Sequence, residues 1–248
     1  MKDVLGIQPI AEAGKIVISK SVDGISSFLS LVCKPALQEF GLMLSDNVRV
    51  WRLNNVIKIL EKAKSKLNFE EDKIHIQANP KVALSILEEG SAVDDDFLQE
   101  WWAGLFASSC TEDGKDDQNL VFTNLLKQLT SFEVKLLDYV CRICEKKIYP
   151  NGLILSEKAI KLPIEDIIKI TGVDDLYRID REMDHLCSLS LFTTGTFHYS
   201  GFVATDEKLI AILTPTALAL NLYYRVNVTG ISMKEYYRDS LIESGYSE

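Results

Sequence analysis

The chain is short of the residues that most reactions need. Its 248 residues include three histidines, His75, His185 and His198, and none lies in a recognised catalytic motif, so a nucleophilic serine or cysteine has few bases to draw on. The 13 glycines form neither G-x-x-x-x-G-K nor G-x-G-x-x-G, which removes two common phosphate cradles. The five cysteines are odd in number and lack framework spacing, so a reducing compartment, the cytoplasm, is the expected location. Basic charge is in deficit: 27 Lys and Arg stand against 36 Asp and Glu, a net of -9. Nucleic acid or anionic lipid would then need a local basic patch.

Long apolar runs are also missing. Lys2, Asp3, Glu12, Lys15, Lys20 and Asp23 break the N-terminal segment too often for a signal peptide. Residues 16–33, the longest candidate, hold Lys20 and Asp23 near their middle and fall short of the roughly 20 apolar residues that cross a bilayer. Ile25, Phe28, Leu29 and Val32 still form an apolar stripe. Two roles are open to it: peripheral membrane contact through residues 1–33, or packing against the protein itself, which is favoured.

What is present is concentrated in residues 94–107, DDDFLQEWWAGLFA. Asp94, Asp95 and Asp96 stand where a helix start takes an anion and a side-chain acceptor. Phe97, Trp101 and Leu105 recur every four residues, with Leu98, Trp102 and Phe106 one step round, so the helix is expected to be buried over more than one face.

Around it the chain reads as mainly α. Pro35 suits a first helical position, and Leu37, Phe40, Leu44, Val48, Trp51, Val56, Leu60, Ala63 and Leu67 predict one long helix or two over 35–67, with a break near Asp46 and Asn47. Residues 73–78 read as an extended link. Asn79 and Pro80 start a short helix to about Glu89, before Gly90 and Ser91. The polar loop 111–118, TEDGKDDQ, is the expected domain boundary. Beyond it come a helix over about 119–128 and another capped by Thr130 or Ser131, with Phe132, Leu136, Tyr139, Val140 and Ile143 as its core face.

Pro163 then opens a helix halted by Gly172, and a longer helix runs to about Ser188, the outline of a helix-turn-helix. LFTTGTFHY and the run 202–213 supply the β-branched and aromatic residues of a small β wing. Thr214 and Pro215 start a further helix, and Met233, Tyr236, Tyr237 and Leu241 mark a helical tail that docks back or meets another subunit. The expected fold is an N-terminal helical module, 1–110, a C-terminal winged-helix-like module, 119–230, and a tail, 231–248.

Few groupings suggest chemistry. Cys141, Cys144, His185 and Cys187 have the types for a structural zinc. The first two, however, lie a turn apart on an amphipathic helix, where cysteine is a small buried hydrophobe, and His185 and Cys187 diverge by about 160°. Asp94–Asp96 and the Asp116–Asp117 pair fit helix-start and loop positions better than metal-assisted hydrolysis. No catalytic residue, cofactor or metal is assigned.

A winged helix commonly reads DNA with its third helix. Residues 174–184, DDLYRIDREMD, carry Asp174, Asp175, Asp180, Glu182 and Asp184 against Arg178 and Arg181, a net of -3 where phosphates need the opposite sign. The basic residues lie elsewhere, at Arg49, Arg52, Lys58, Lys62, Lys64 and Lys66. Of these, Arg49, Arg52, Lys58, Lys62 and Lys66 are the candidate nucleic-acid or partner surface, although a salt-bridged helix face explains them more simply.

KPALQEFG (34–41), LSDNVRVWRLNN (44–55), PKVALSILEEGS (80–91), DDDFLQEWWAGLFA (94–107) and NLLKQLTSFEVKLLDYV (124–140) come in the order and spacing of the abortive infection alpha (Abi-alpha) family of bacterial proteins. With LTPTALAL (213–220), the chain resembles that family over most of its length; Trp101 is an addition, and Ala217 stands where a glycine is usual. The resemblance implies a bacterial cytoplasmic protein of phage resistance, acting through arrest or death of the infected cell, and it implies no catalytic residues. The expected function is a non-enzymatic, protein-interacting component of an antiphage or stress response, with a protein partner or as a homo-oligomer. A DNA-binding transcriptional regulator is the alternative.

Overall fold

Six of the described helices start where a side chain stands ready to accept the first free amides. Asn79 accepts from the Lys81 amide, Asp95 from Leu98, Thr130 from Glu133, Asp175 from Tyr177 and Arg178, Thr216 from Ala219 and Ser232 from Glu235. The protein, seen as a computed structural model, is described at residues 15–34, 37, 47–67, 76–193, 202–205 and 208–238. It is mainly helical with small antiparallel sheets and divides into two units, 1–127 and 128–248.

In the first unit the helices are α1 (Lys15–Val32), α2 (Asn47–Lys66), α3 (Pro80–Gly90), α4 (Asp96–Ser108) and α5 (Asn119–Leu126); β1 (Gln77–Ala78) and β2 (Cys110–Thr111) pair antiparallel. The tryptophan helix, α4, is the centre. Every residue from Trp101 to Ala107 is buried, and α2, α3 and α5 all pack on it. Phe97 departs from the expected pattern and is half-buried at the first turn. Gly90 lets α3 come close: a Cβ there would lie 3.0 Å from Ile59 Cδ1 and 3.4 Å from Trp102 Cγ.

The α1 stripe of Ile25, Phe28, Leu29 and Val32 is buried, and the Phe28 and Phe106 rings lie 6.1 Å apart between centroids. The stripe is therefore core. Residues 1–14 lie outside the described residues, as do Pro35, Phe40, Leu44 and the 70–72 acids. The expected long helix resolves into α2 beginning at Asn47, beside the anticipated break.

The helix that follows the 111–118 loop packs within the first unit. Asn119 Nδ2 donates to Leu105 O and Ser108 Oγ, each at 2.9 Å, and Phe122, Thr123 and Leu126 are buried. These contacts keep α5 with α3 and α4, so the division falls after Lys127.

The second unit holds α6 (Ser131–Ile143), β3 (Lys146–Ile148), β4 (Ile154–Ser156), β5 (Ile160–Pro163), α7 (Ile164–Thr171), α8 (Leu176–Ser188), β6 (Phe202–Thr205), β7 (Lys208–Leu213), α9 (Ala217–Asn227) and α10 (Met233–Tyr236). The β3–β4 hairpin sets Lys146 opposite Ser156 and Ile148 opposite Ile154. The other sheet runs β5-β7-β6, with Ile160 opposite Leu213 and Phe202 opposite Ala211. The expected β run at 202–213 is thus a hairpin; residues 194–201 lie outside the description.

Three local expectations change. On α6, Phe132, Leu136 and Val140 are buried with Val134 and Leu137, whereas Tyr139 is half-buried and Ile143 exposed. Pro163 ends β5 and caps α7 rather than opening it, and Gly172, at a φ of 76°, ends that helix in the left-handed region glycine tolerates. Thr216 caps α9, because Pro215 is held in a bridge to Phe192 and cannot begin it. The tail docks back within its own unit as far as Arg238: Tyr237 is buried and its hydroxyl donates to Leu220 O at 3.0 Å.

Trp102 is fully enclosed. Trp102→Ala should therefore cost about 3 to 5 kcal/mol, read by denaturant unfolding of the full chain; an unchanged unfolding midpoint would contradict the central place given to α4.

Candidate functional site

The basic face foreseen on α2 exists, but its charges turn inward. Arg52 Nε donates to Ser91 Oγ at 2.7 Å and its Nη2 to Glu88 O at 2.8 Å, fixing the turn between α3 and α4. Lys62 Nζ lies 2.7 Å from Asp96 Oδ1 and 3.2 Å from Glu100 Oε1, and Lys66 Nζ lies 3.3 Å from Glu100 Oε2. The Asp96 carboxyl is held below the usual range by the Lys62 hydrogen bond first, then by the charges of Lys62 and Lys58. Lys58 is exposed beside this group, and the Arg49 side chain lies outside the described residues. Among the described residues, Arg52, Lys62 and Lys66 serve as ties from α2 to its neighbours, and they do not form an open cationic surface.

Beneath these ties runs a buried polar seam. Asn55 Nδ2 donates to Ser91 O at 3.0 Å, while Gln99 Nε2 donates to Val93 O at 2.9 Å and reaches Asn55 Oδ1 at 3.4 Å. Three of the stretches that carry the family resemblance therefore meet here: RLNN on α2, EEGS at the end of α3, and LQEWWA on α4. Their common task in this structure is to hold α2, α3 and α4 in register.

The second unit has a knot of ionisable groups between α6 and α8. Glu133 is fully buried; its Oε2 accepts from the Thr130 amide at 2.7 Å and its Oε1 meets His185 Nδ1 at 2.6 Å. Thr130 Oγ1 donates to Glu182 Oε2 at 2.5 Å, and Arg178 Nε donates to Glu182 Oε1 at 3.1 Å. All four carboxylate oxygens already accept from the chain itself, which suits a clamp better than a reaction centre. Burial is the main influence on Glu133 and raises its pKa, against the lowering effect of the Thr130 amide and His185.

The other outcome is the outer face of α8. Ile179, Glu182, Met183 and Leu186 point inward; Leu176, Tyr177, Asp180, Arg181, Asp184 and Ser188 are exposed. Tyr177 is 89% exposed and Leu176 45%. Asp174 and Asp175 precede them, also exposed. Arg178 is engaged by Glu182, so Arg181 alone faces four outward acids on this element.

A sequence model described as abortive infection alpha matches residues 52–226. The chain belongs to the abortive infection alpha family. No curated protein and no solved structure matches it significantly. In this family member the matched segment opens at Arg52, the first of the α2 ties, and closes at Val226 near the end of α9. The polar seam, the Glu133 clamp and the α8 face all fall within it; Arg49, α1 and α10 fall outside.

The ligand types weighed for zinc are not gathered around one point. Cys144 Sγ donates to Cys141 O at 3.4 Å, and His185 is turned to Glu133. His75 and His198 lie outside the described residues. The Thr130–Glu133 spacing is a capping-box signature and was visible in the sequence; its link to His185, 52 residues away, was not. Leu176 follows the Ile179, Met183 and Leu186 spacing and only the structure shows it 45% exposed at the first turn, whereas Tyr177 stands off that stripe in the sequence as well.

The direction of the Glu133 shift fixes a pH effect. A carboxyl whose folded pKa is raised contributes stability that is complete below its unfolded value, about 4.3, and is lost as pH rises through the folded value. The stability of the native chain minus that of Glu133→Gln should therefore fall as pH rises above about 4.3. Melting curves across pH measure this difference, and one that grows with pH would reverse the assignment.

Proposed function

We infer that the protein is a non-enzymatic component of a cytoplasmic abortive-infection response, working by protein contact through a winged-helix-like C-terminal unit. The winged-helix part rests on order: α6, β5, α7 and α8 are followed by the β6–β7 hairpin, and β5 joins that hairpin as the third strand. A helix-turn-helix backed by such a sheet is the outline of that fold. The abortive-infection part rests on family membership.

The observation that carries protein contact is the exposed face of α8. In a DNA reader this helix enters the major groove and its flanks neutralise phosphates. Here its outward acids repel phosphate, while Tyr177 and Leu176 offer the aromatic and apolar anchor typical of protein interfaces. The α2 cations supply no substitute, since Arg52, Lys62 and Lys66 are committed to their own unit.

The expected result for Tyr177→Ala is an unchanged melting temperature together with loss of protection in a plaque assay on cells carrying the gene. Full protection by this variant would remove the α8 face from the function.

A further inference from the structure

The α8 face has a chemistry that selects its partner. Tyr177, Asp180 and Asp184 follow one another at steps of three and four, so they share a stripe about 10 Å long. Asp180 and Asp184 are one turn apart, and like charges at that spacing repel each other. Among the described residues neither has an ion-pair partner. Arg181, three residues from Asp184 and four from Tyr177, offsets part of this repulsion, and the acids stand beside a large aromatic ring left almost wholly in water.

Resting on the reading that α8 makes a protein contact, we propose that its outer face binds a cationic segment of a partner protein, with lysines or arginines set around an apolar side chain. The apolar side chain packs on Leu176 and Tyr177, a guanidinium or ammonium lies over the Tyr177 ring, and neighbouring cations meet Asp180 and Asp184. Asp174 and Asp175, beside the anchor, extend the negative field, and the net charge of -9 speeds the approach of a basic partner.

Charge also disfavours a symmetric contact with a second copy of this chain. Such a contact through α8 would bring the same acids together, and of the α2 cations Arg52, Lys62 and Lys66 are already held by Ser91, Asp96 and Glu100.

The test uses the full chain and three fluorescent peptides: a short segment of lysines and arginines around a leucine, its counterpart with glutamates for the cations, and oligolysine. Anisotropy should show binding to the first, weaker binding to oligolysine and none to the acidic peptide, with affinity falling as salt is raised. The double variant Asp180→Lys, Asp184→Lys should lose about tenfold or more, and Tyr177→Ala should lose more affinity for the leucine peptide, which forfeits both the apolar and the cation–π contact, than for oligolysine, which forfeits the cation–π contact alone. The helix cap Asp175 and the inward residues are untouched, and melting curves verify that the variants fold. Equal affinity of native and charge-reversed chains, or no binding of the leucine peptide, overturns the proposal.

A benzophenone amino acid at position 177 separates this failure from that of the broader reading. Crosslinking in infected cells to an acidic or uncharged protein segment would overturn the cationic partner and leave protein contact standing. No crosslink, with protection retained by Tyr177→Ala, would overturn both.

Discussion

Burial of α4 on every side is the constraint from which the first unit follows. A helix whose residues from Trp101 to Ala107 are all inside has no face for solvent, so neighbours must close around it and their own polar groups must find partners at its ends. Gly90 provides the close approach of α3; Asn55, Ser91 and Gln99 answer one another along the seam. At the exposed rim, Lys62 and Lys66 meet Asp96 and Glu100, the anionic side chains of the α4 start. The acids favour the helix N-terminus by its dipole, and the lysines are drawn to the acids. A basic surface available to nucleic acid would compete with this arrangement.

The second unit solves the same difficulty differently. Glu133 is buried with its charge-bearing oxygens against Thr130 and His185, and Glu182 is satisfied by Thr130 and Arg178. Arg178 is paired with Glu182 while still partly exposed, and the exposed side of α8 otherwise carries Asp180 and Asp184 against Arg181. The clamp thus holds α8 against α6 and also determines which charges α8 displays. Both features lie within residues 52–226, the segment that matches the abortive infection alpha family.

Sequence reasoning reached the parts governed by local chemistry. The caps at Asn79, Asp95 and Thr130, the stop at Gly172 and the enclosure of Trp102 depend on residues within a turn or two. It read β1 only as part of an extended link over 73–78, and it missed β2 and β5 because two to four residues are too few to show an alternating pattern. The β3–β4 hairpin did leave a sign, Asn151-Gly152 between apolar runs, which marks a tight turn. The candidate site was the harder case. Counting charge located Arg52, Lys62 and Lys66, but only distance in space shows that Ser91, Asp96 and Glu100 already hold them. The same limit hid the pairing of Glu133 with His185.

The central claim is that α8 presents an acidic, aromatic face to protein and repels nucleic acid. Retention of duplex DNA by the full chain, followed from low to high salt, tests it most directly, because phosphate contacts are strongest where counterions are fewest. The account predicts no retention even at the lowest salt. Retention that weakens steeply with salt and is abolished by Arg181→Ala would contradict it.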